Sequence, residues 1–174
     1  MDEDLFELNP EVDKAKKAAF QLLGRRAYTR KEIREKLSKR GFVESVVDQT
    51  IATLEHLRIV DDRDFAARFV EERLRLRPAG KPVLRRDLSR RGVEAPVIED
   101  VLAEAFGEVD LEAVAFRLLC SRRSRYLQLD RIKAQNRMYA FLARRGFSPD
   151  VARSVTARAW DCIENNVEDW EEGS

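Results

Sequence analysis

Few residues in this chain have the types and spacing that bond-making chemistry requires. The single histidine, His56, has no cysteine or second histidine near it, so no histidine-based metal cluster is visible. A Ser/His/Asp relay would rest on that one imidazole, and no Gly-x-Ser-x-Gly turn marks a nucleophile. Gly80–Lys81 looks like the end of a phosphate loop, but Arg75 stands where that motif needs its first glycine. Pro82 stands where it needs Ser or Thr, so the match fails. Asp61, Asp62 and Asp64 form a carboxylate cluster, but no glycine and distal glutamate complete a calcium loop. Acids at a helix start cap free N–H groups and suit the positive end of the helix dipole, and that is the role expected of them.

What remains is arginine. Between Arg73 and Arg91 there are eight bases (Arg73, Arg75, Arg77, Lys81, Arg85, Arg86, Arg90, Arg91) against one acid, Asp87. Between Arg122 and Arg145 there are eight more (Arg122, Arg123, Arg125, Arg131, Lys133, Arg137, Arg144, Arg145) against Asp130. Guanidinium groups take phosphates and carboxylates through paired N–H donors, so these runs point to binding rather than catalysis. The residues expected to make such contacts are Arg73, Arg77, Lys81, Arg85, Arg86, Arg90, Arg91, Arg122, Arg123, Arg125, Arg144 and Arg145. Tyr126 and Tyr139 could add stacking against single-stranded bases. No catalytic residue, metal ligand or cofactor is expected.

Composition narrows the scaffold. Of 174 residues, 44% are hydrophobic and 37% charged, with only seven glycines and five prolines, a balance that favours helix. No apolar stretch approaches the ~18 residues of a membrane helix. The N-terminus is acidic, unlike a secretory signal. Cys120 and Cys162 form no CxxC pair and read as small buried residues in a reducing compartment. A cytoplasmic protein is expected. The net charge of +1 conceals segregation: residues 1–13 and 161–174 hold six acids each and no base. Without those twelve, twenty acids face thirty-three bases, so the body from 14 to 160 is +13 and suits polyanions or acidic faces.

The arginines sit on a repeat. Ile33–Arg–Glu–Lys–Leu37–Ser–Lys–Arg–Gly41–Phe42, Leu84–Arg–Arg–Asp–Leu88–Ser–Arg–Arg–Gly92–Val93 and Met138–Tyr–Ala–Phe–Leu142–Ala–Arg–Arg–Gly146–Phe147 share one pattern. Apolar residues at i and i+4 make one buried helical face. A basic pair suits the negative end of the dipole, and glycine ends the helix in the left-handed conformation. The glycines are 51 and 54 residues apart, at the long end of helical repeat units. A second amphipathic helix follows each glycine, starting near Val46, Val97 and Val151, with Pro96 and Pro149 in the first turn. A further helix precedes each pattern: one from about Glu11 to Gly24 after Asn9–Pro10, one after Asp61–Asp62, one after Asp110. Thr29-x-x-Glu32 is a capping box. The expected fold is all-α, with three tandem three-helix repeats at 11–60, 61–108 and 109–163 forming an elongated, curved array. Acidic tails are expected at 1–10 and 164–174.

The junction between the first two copies carries a resemblance. Leu54-x-x-Leu57-x-Ile59-Val60-Asp61-Asp62-x-x-Phe65-Ala66-x-x-Phe69-x-x-x-Arg73, continuing through Gly80-x-x-x-Leu84-x-x-x-Leu88-x-x-x-Gly92-Val93, resembles the bacterial RecX family of recombinase regulators. Leu22-Leu23-x-x-Arg26-x-Tyr28-Thr29-x-x-Glu32-Ile33-x-x-x-Leu37 fits as well, with Thr29 where the family often shows Ser. The resemblance spans roughly residues 15–160; the third unit matches more loosely and the acidic tails lie outside it. It implies a cytoplasmic protein, expected to be monomeric, that is not itself an enzyme. Its implied partner is the RecA–DNA filament, whose recombinase, ATPase and coprotease activities it inhibits, with direct contact to single- or double-stranded DNA a further possibility. A free-standing nucleic-acid-binding helical module is the alternative reading of the same arginines.

Overall fold

The structure is a computed structural model that describes residues 9–107 and 109–165; most of both acidic tails therefore lies outside the described residues. Among the described residues there are nine α-helices and no strand. The first three are α1 (Pro10–Leu23), α2 (Arg30–Lys39) and α3 (Glu44–His56). Next come α4 (Asp62–Leu76), α5 (Lys81–Arg90) and α6 (Ala95–Phe106). The last are α7 (Leu111–Cys120), α8 (Arg131–Arg144) and α9 (Pro149–Glu164), with a 3-10 turn at Arg123–Arg125 before α8. The chain forms two compact units. One holds the described residues up to Arg68 with Asp87–Val101; the other holds Phe69–Arg86 with the described residues from Leu102 onward. The division runs through α4, α5 and α6.

The repeated sequence pattern becomes a repeated helix end. Ile33, Leu84 and Met138 are fully buried, as are Leu37, Leu88 and Leu142 one turn later. Each such side chain contributes about 1.5–3 kcal/mol relative to exposure. Gly41, Gly92 and Gly146 then adopt φ of +90°, +88° and +81°. Each ends its helix with the same pair of bonds. Phe42, Val93 and Phe147 donate N–H to the carbonyls of Leu37, Leu88 and Leu142 at 3.4, 3.2 and 3.2 Å. The glycine N–H groups donate to Ser38, Ser89 and Ala143 at 2.9 Å each. This is a Schellman cap built three times, and it satisfies carbonyls that would otherwise be orphaned.

In the first unit, Val12, Ala15, Ala19 and Leu22 of α1 pack with Ile33, Leu37, Val47 and Leu54 around one core. Asn9 caps α1 through the Glu11 N–H at 3.0 Å, and Thr29 with Glu32 forms the capping box of α2. Asp61 caps the start of α4, accepting from the N–H groups of Arg63 and Asp64. Asp62 does something the sequence did not indicate. It is buried, and accepts from both the backbone N–H (2.9 Å) and the Nε (3.2 Å) of Arg30. Arg30 also reaches Glu55 and Glu94, so one guanidinium ties together α2, the end of α3, and the starts of α4 and α6. The Glu94 hydrogen bond and the Asp62 contacts hold that guanidinium in its charged form despite partial burial. Asp64 pairs with Arg68 one turn on.

Thr29 and Gly80 make the two contacts that most define how helix ends meet. Within the first unit, the Thr29 hydroxyl donates to the carbonyl of Arg91 at 2.6 Å, just before Gly92 at the end of α5. Within the second unit, the Gly80 N–H donates to the carbonyl of Arg145 at 2.8 Å, just before Gly146 at the end of α8. Both residues stand immediately before a helix. In each unit the positive start of one helix therefore abuts the negative end of another. A Cβ on Gly80 would lie 1.9 Å from the Gly146 carbonyl oxygen, so only glycine fits there.

The second unit's core runs from Val114, Ala115 and Leu119 of α7 through Met138, Phe141 and Leu142 of α8 to Val155, Ala159 and Trp160 of α9. Asp110, Asp130 and Ser148 cap the three helices by accepting from Ala113, Lys133 and Val151 N–H groups. Cys120 and Cys162, far apart in sequence, both pack against this core as free thiols, half-buried rather than fully buried. Burial pushes the Cys120 thiol up to about 11, and the neighbouring Cys162 adds to the shift. At pH 8 almost no thiolate is present, so Cys120 should alkylate with iodoacetamide roughly 10–100-fold more slowly than free cysteine. Mass spectrometry of timed digests measures this; labelling at the rate of free cysteine would refute the packing described.

Candidate nucleic-acid interface

The second arginine run gathers on one flank of α8. The helix turns Ala134, Met138, Phe141 and Leu142 inward. Asn136, Arg137, Ala140 and Arg144 therefore fall on an outward flank at helical spacing. That flank faces the segment after α7, where the chain tightens into the 3-10 turn. Together they enclose an open depression of about 440 Å³, lined by Arg122, Arg125, Tyr126, Asn136, Arg137, Ala140, Phe141 and Arg144. No acidic side chain lines it.

Aromatic rings hold the guanidinium groups in place. The Arg122 guanidinium carbon lies 4.3 Å from the Phe141 ring centre, and that of Arg145 lies 5.4 Å from it. Arg145 also directs Nη1 towards the carbonyls of Pro78 and Arg77 at 3.3 and 3.5 Å, the second being at the limit of a hydrogen bond. Positive charge is concentrated here. Burial first, and then the nearby charges of Arg122, Arg73 and Arg77, push the Arg145 pKa down. Burial raises the Tyr126 phenol, while Arg122, Arg125 and Arg144 pull it back down, so three guanidinium groups surround that ring. Among the described residues, none of Arg122, Arg125, Arg137, Arg144 and Arg145 forms an ion pair with a carboxylate.

The remaining candidates are placed differently. Arg73 lies 5.5 Å from the Phe69 ring, and Lys81 lies 5.4 Å from Phe106. Arg85 and Arg86 are exposed on α5, and Arg123 is half-buried in the 3-10 turn. Arg90 lies 3.6 Å from Asp87. Arg91 donates to Glu32 at 2.9 Å and lies 5.5 Å from the Phe65 ring, so it ties helix ends together within the first unit. Arg137 belongs to the second basic run but not to the twelve expected contacts, and Asn136 was not expected at all. The signal was there: Arg137, Ala140 and Arg144 follow an i, i+3, i+7 spacing that puts them on one face. Of the two tyrosines, Tyr126 does not offer the open face expected of it. Tyr126 is 4% exposed, and Tyr139 is half-buried beside a second depression of about 270 Å³ that Asn136 also lines.

Other chemistry finds no support. Among the described residues no group of three or more His, Cys, Asp or Glu side chains could hold a metal ion. His56 is exposed at the end of α3. No described helix is long and apolar enough to cross a membrane.

Comparison with known proteins identifies the scaffold. Residues 15–54 match the model of the RecX first three-helix domain, 61–102 that of the second, and 109–156 that of the third, in chain order. This chain belongs to the RecX family. Its relatives include the regulatory protein RecX of Chlorobium phaeobacteroides (strain BS1), 38% identical over 143 residues, covering 82% of this chain and 91% of that protein. The regulatory protein RecX of Amycolatopsis mediterranei (strain U-32) is 34% identical over 154 residues, 86% of each chain. A crystal structure of RecX from Lactobacillus salivarius superposes with a TM-score of 0.73 at 22% identity, covering 86% of this chain and 97% of that one. That likeness shows the fold: an all-α RecX architecture of three repeats. As a RecX-family member the chain has a regulatory role, and its arginine-lined depression lies in the third RecX domain.

Proposed function

We propose that this chain binds the RecA–DNA filament and lowers its recombinase, ATPase and coprotease activities, acting in the cytoplasm as a monomer and by binding rather than catalysis. The observation that carries this reading is the presence of all three RecX domains in order over residues 15–156. The arginine cluster supports it, since a filament of protein and DNA presents phosphates and acidic faces together. The test is DNA-dependent ATP hydrolysis by RecA. Adding this protein in amounts comparable to RecA should reduce the rate several-fold. An unchanged rate would overturn the reading.

Charge reversal at Arg85 and Arg86 is the companion test for the first arginine run, because both lie exposed on α5. Arg91 is left out of it, since a glutamate there would face Glu32 and disturb the fold. The alternative is a nucleic-acid-binding module that works without RecA, favoured by the guanidinium cluster around Phe141. That reading expects DNA binding alone together with an unchanged RecA ATPase.

A further inference from the structure

We propose that the depression between the 3-10 turn and α8 is a phosphodiester clamp, which takes consecutive phosphates of a nucleic-acid strand and makes no stacking contact with its bases. This deepens the proposed function by naming where the chain itself would touch nucleic acid.

Four arginines, Arg122, Arg125, Arg137 and Arg144, enter the depression from two walls, and Asn136 adds an amide. No lining residue is acidic, so no internal carboxylate competes for these donors. Stacking of Arg122 on Phe141 fixes that guanidinium and lessens the entropy lost when it binds an anion. Oxyanions spaced along a backbone can engage several guanidinium forks at once, which a single ion cannot.

The rings beneath the arginines are closed to bases. Tyr126 is 4% and Phe141 8% exposed, so the floor contributes support and not stacking. Recognition would therefore be independent of sequence. Asn136 lines the second depression too, with Gln135, Tyr139, Arg153 and Thr156. Arginine clusters also take acidic peptide motifs, and competition by polyglutamate distinguishes that occupant from a phosphodiester strand.

The test is fluorescence anisotropy with a labelled oligothymidylate and no RecA, so that its failure is distinct from failure of the ATPase test. Arg137→Ala with Arg144→Ala removes two exposed guanidinium groups and leaves the core intact. Affinity should fall at least tenfold at low salt. The slope of log affinity against log salt should flatten by about 1.4, at roughly 0.7 per phosphate contact on a single strand. Lys17→Ala with Lys39→Ala, equal in charge but in the first repeat, should change affinity less than threefold. Arg125→Ala alone should give an intermediate loss. Unchanged binding in the Arg137/Arg144 double variant, with circular dichroism intact, would overturn the proposal. So would an equal loss in the lysine control, which would reduce the effect to net charge. Polyglutamate displacing the oligonucleotide at equal charge concentration would overturn it as well, in favour of an acidic protein face. If the double variant loses its helical signal, Arg125→Ala decides: no loss of affinity there sinks the clamp.

Discussion

Gly80→Ala should destabilise the protein by about 3–4 kcal/mol, whereas Gly41→Ala should cost about 1–2 kcal/mol. The two glycines differ in why they are glycine. Gly41 has φ +90° and nothing within 4 Å of where a Cβ would stand, so alanine there meets only backbone strain. Gly80 is not left-handed, but its Cβ would fall 1.9 Å from the Gly146 carbonyl oxygen and 2.5 Å from the carbonyl carbon. Those atoms belong to a helix cap and have no rotamer to escape into. Relief requires the two backbones to separate, which also lengthens the 2.8 Å bond from Gly80 N–H to the Arg145 carbonyl. The Tm should drop by roughly 6–16 °C for Gly80→Ala, at 2–4 °C per kcal/mol for a chain of this size. Urea unfolding of both variants measures the difference. Equal losses would mean that the close approach in the second unit does not exist in solution.

Thr29→Val should destabilise the protein by about 2–3 kcal/mol, and Thr29→Ser by less than about 0.5 kcal/mol. Valine keeps the shape of threonine and removes only the hydroxyl. That hydroxyl is fully buried and does two things. It accepts the Glu32 N–H at 3.2 Å, closing the capping box, and it donates to the Arg91 carbonyl at 2.6 Å. The valine variant leaves a helix-start donor and a helix-end acceptor unsatisfied together. Loss of a cap alone costs about 1 kcal/mol, and the stranded carbonyl adds a similar amount. Serine preserves both bonds and gives up one methyl group. Thermal denaturation followed at 222 nm separates the outcomes. A valine variant as stable as the serine variant would show that the bond to Arg91 contributes nothing.

These two positions mark how far the sequence could be read. The capping box at Thr29 and Glu32 was legible, because a cap depends on residues three apart. The second bond of the same hydroxyl was not, because its partner lies 62 residues away. Gly80 shows the same limit more sharply. In sequence it resembled part of a failed phosphate loop; in the fold it is the place where the chain passes against another helix end. Asp62 was expected to cap its own helix; Asp61 does that, while Asp62 takes the N–H and Nε of Arg30 at the start of α2. In the arginine runs, sequence showed density of charge and little about its destination. Arg91 stands against Glu32, whereas Arg137, outside the twelve expected contacts, lines the depression with Arg122 and Arg125.

The sequence by itself determined the all-α class, most helix starts and stops and the three left-handed glycines. All of these follow from rules that act within a turn or two of helix: the i, i+4 apolar face, the side-chain cap, the φ that only glycine takes cheaply. Only the tertiary structure decided which helix start meets which helix end, and which arginines converge on Phe141 instead of pairing with carboxylates. Those outcomes depend on distances between residues far apart in the chain, and periodicity carries no record of them.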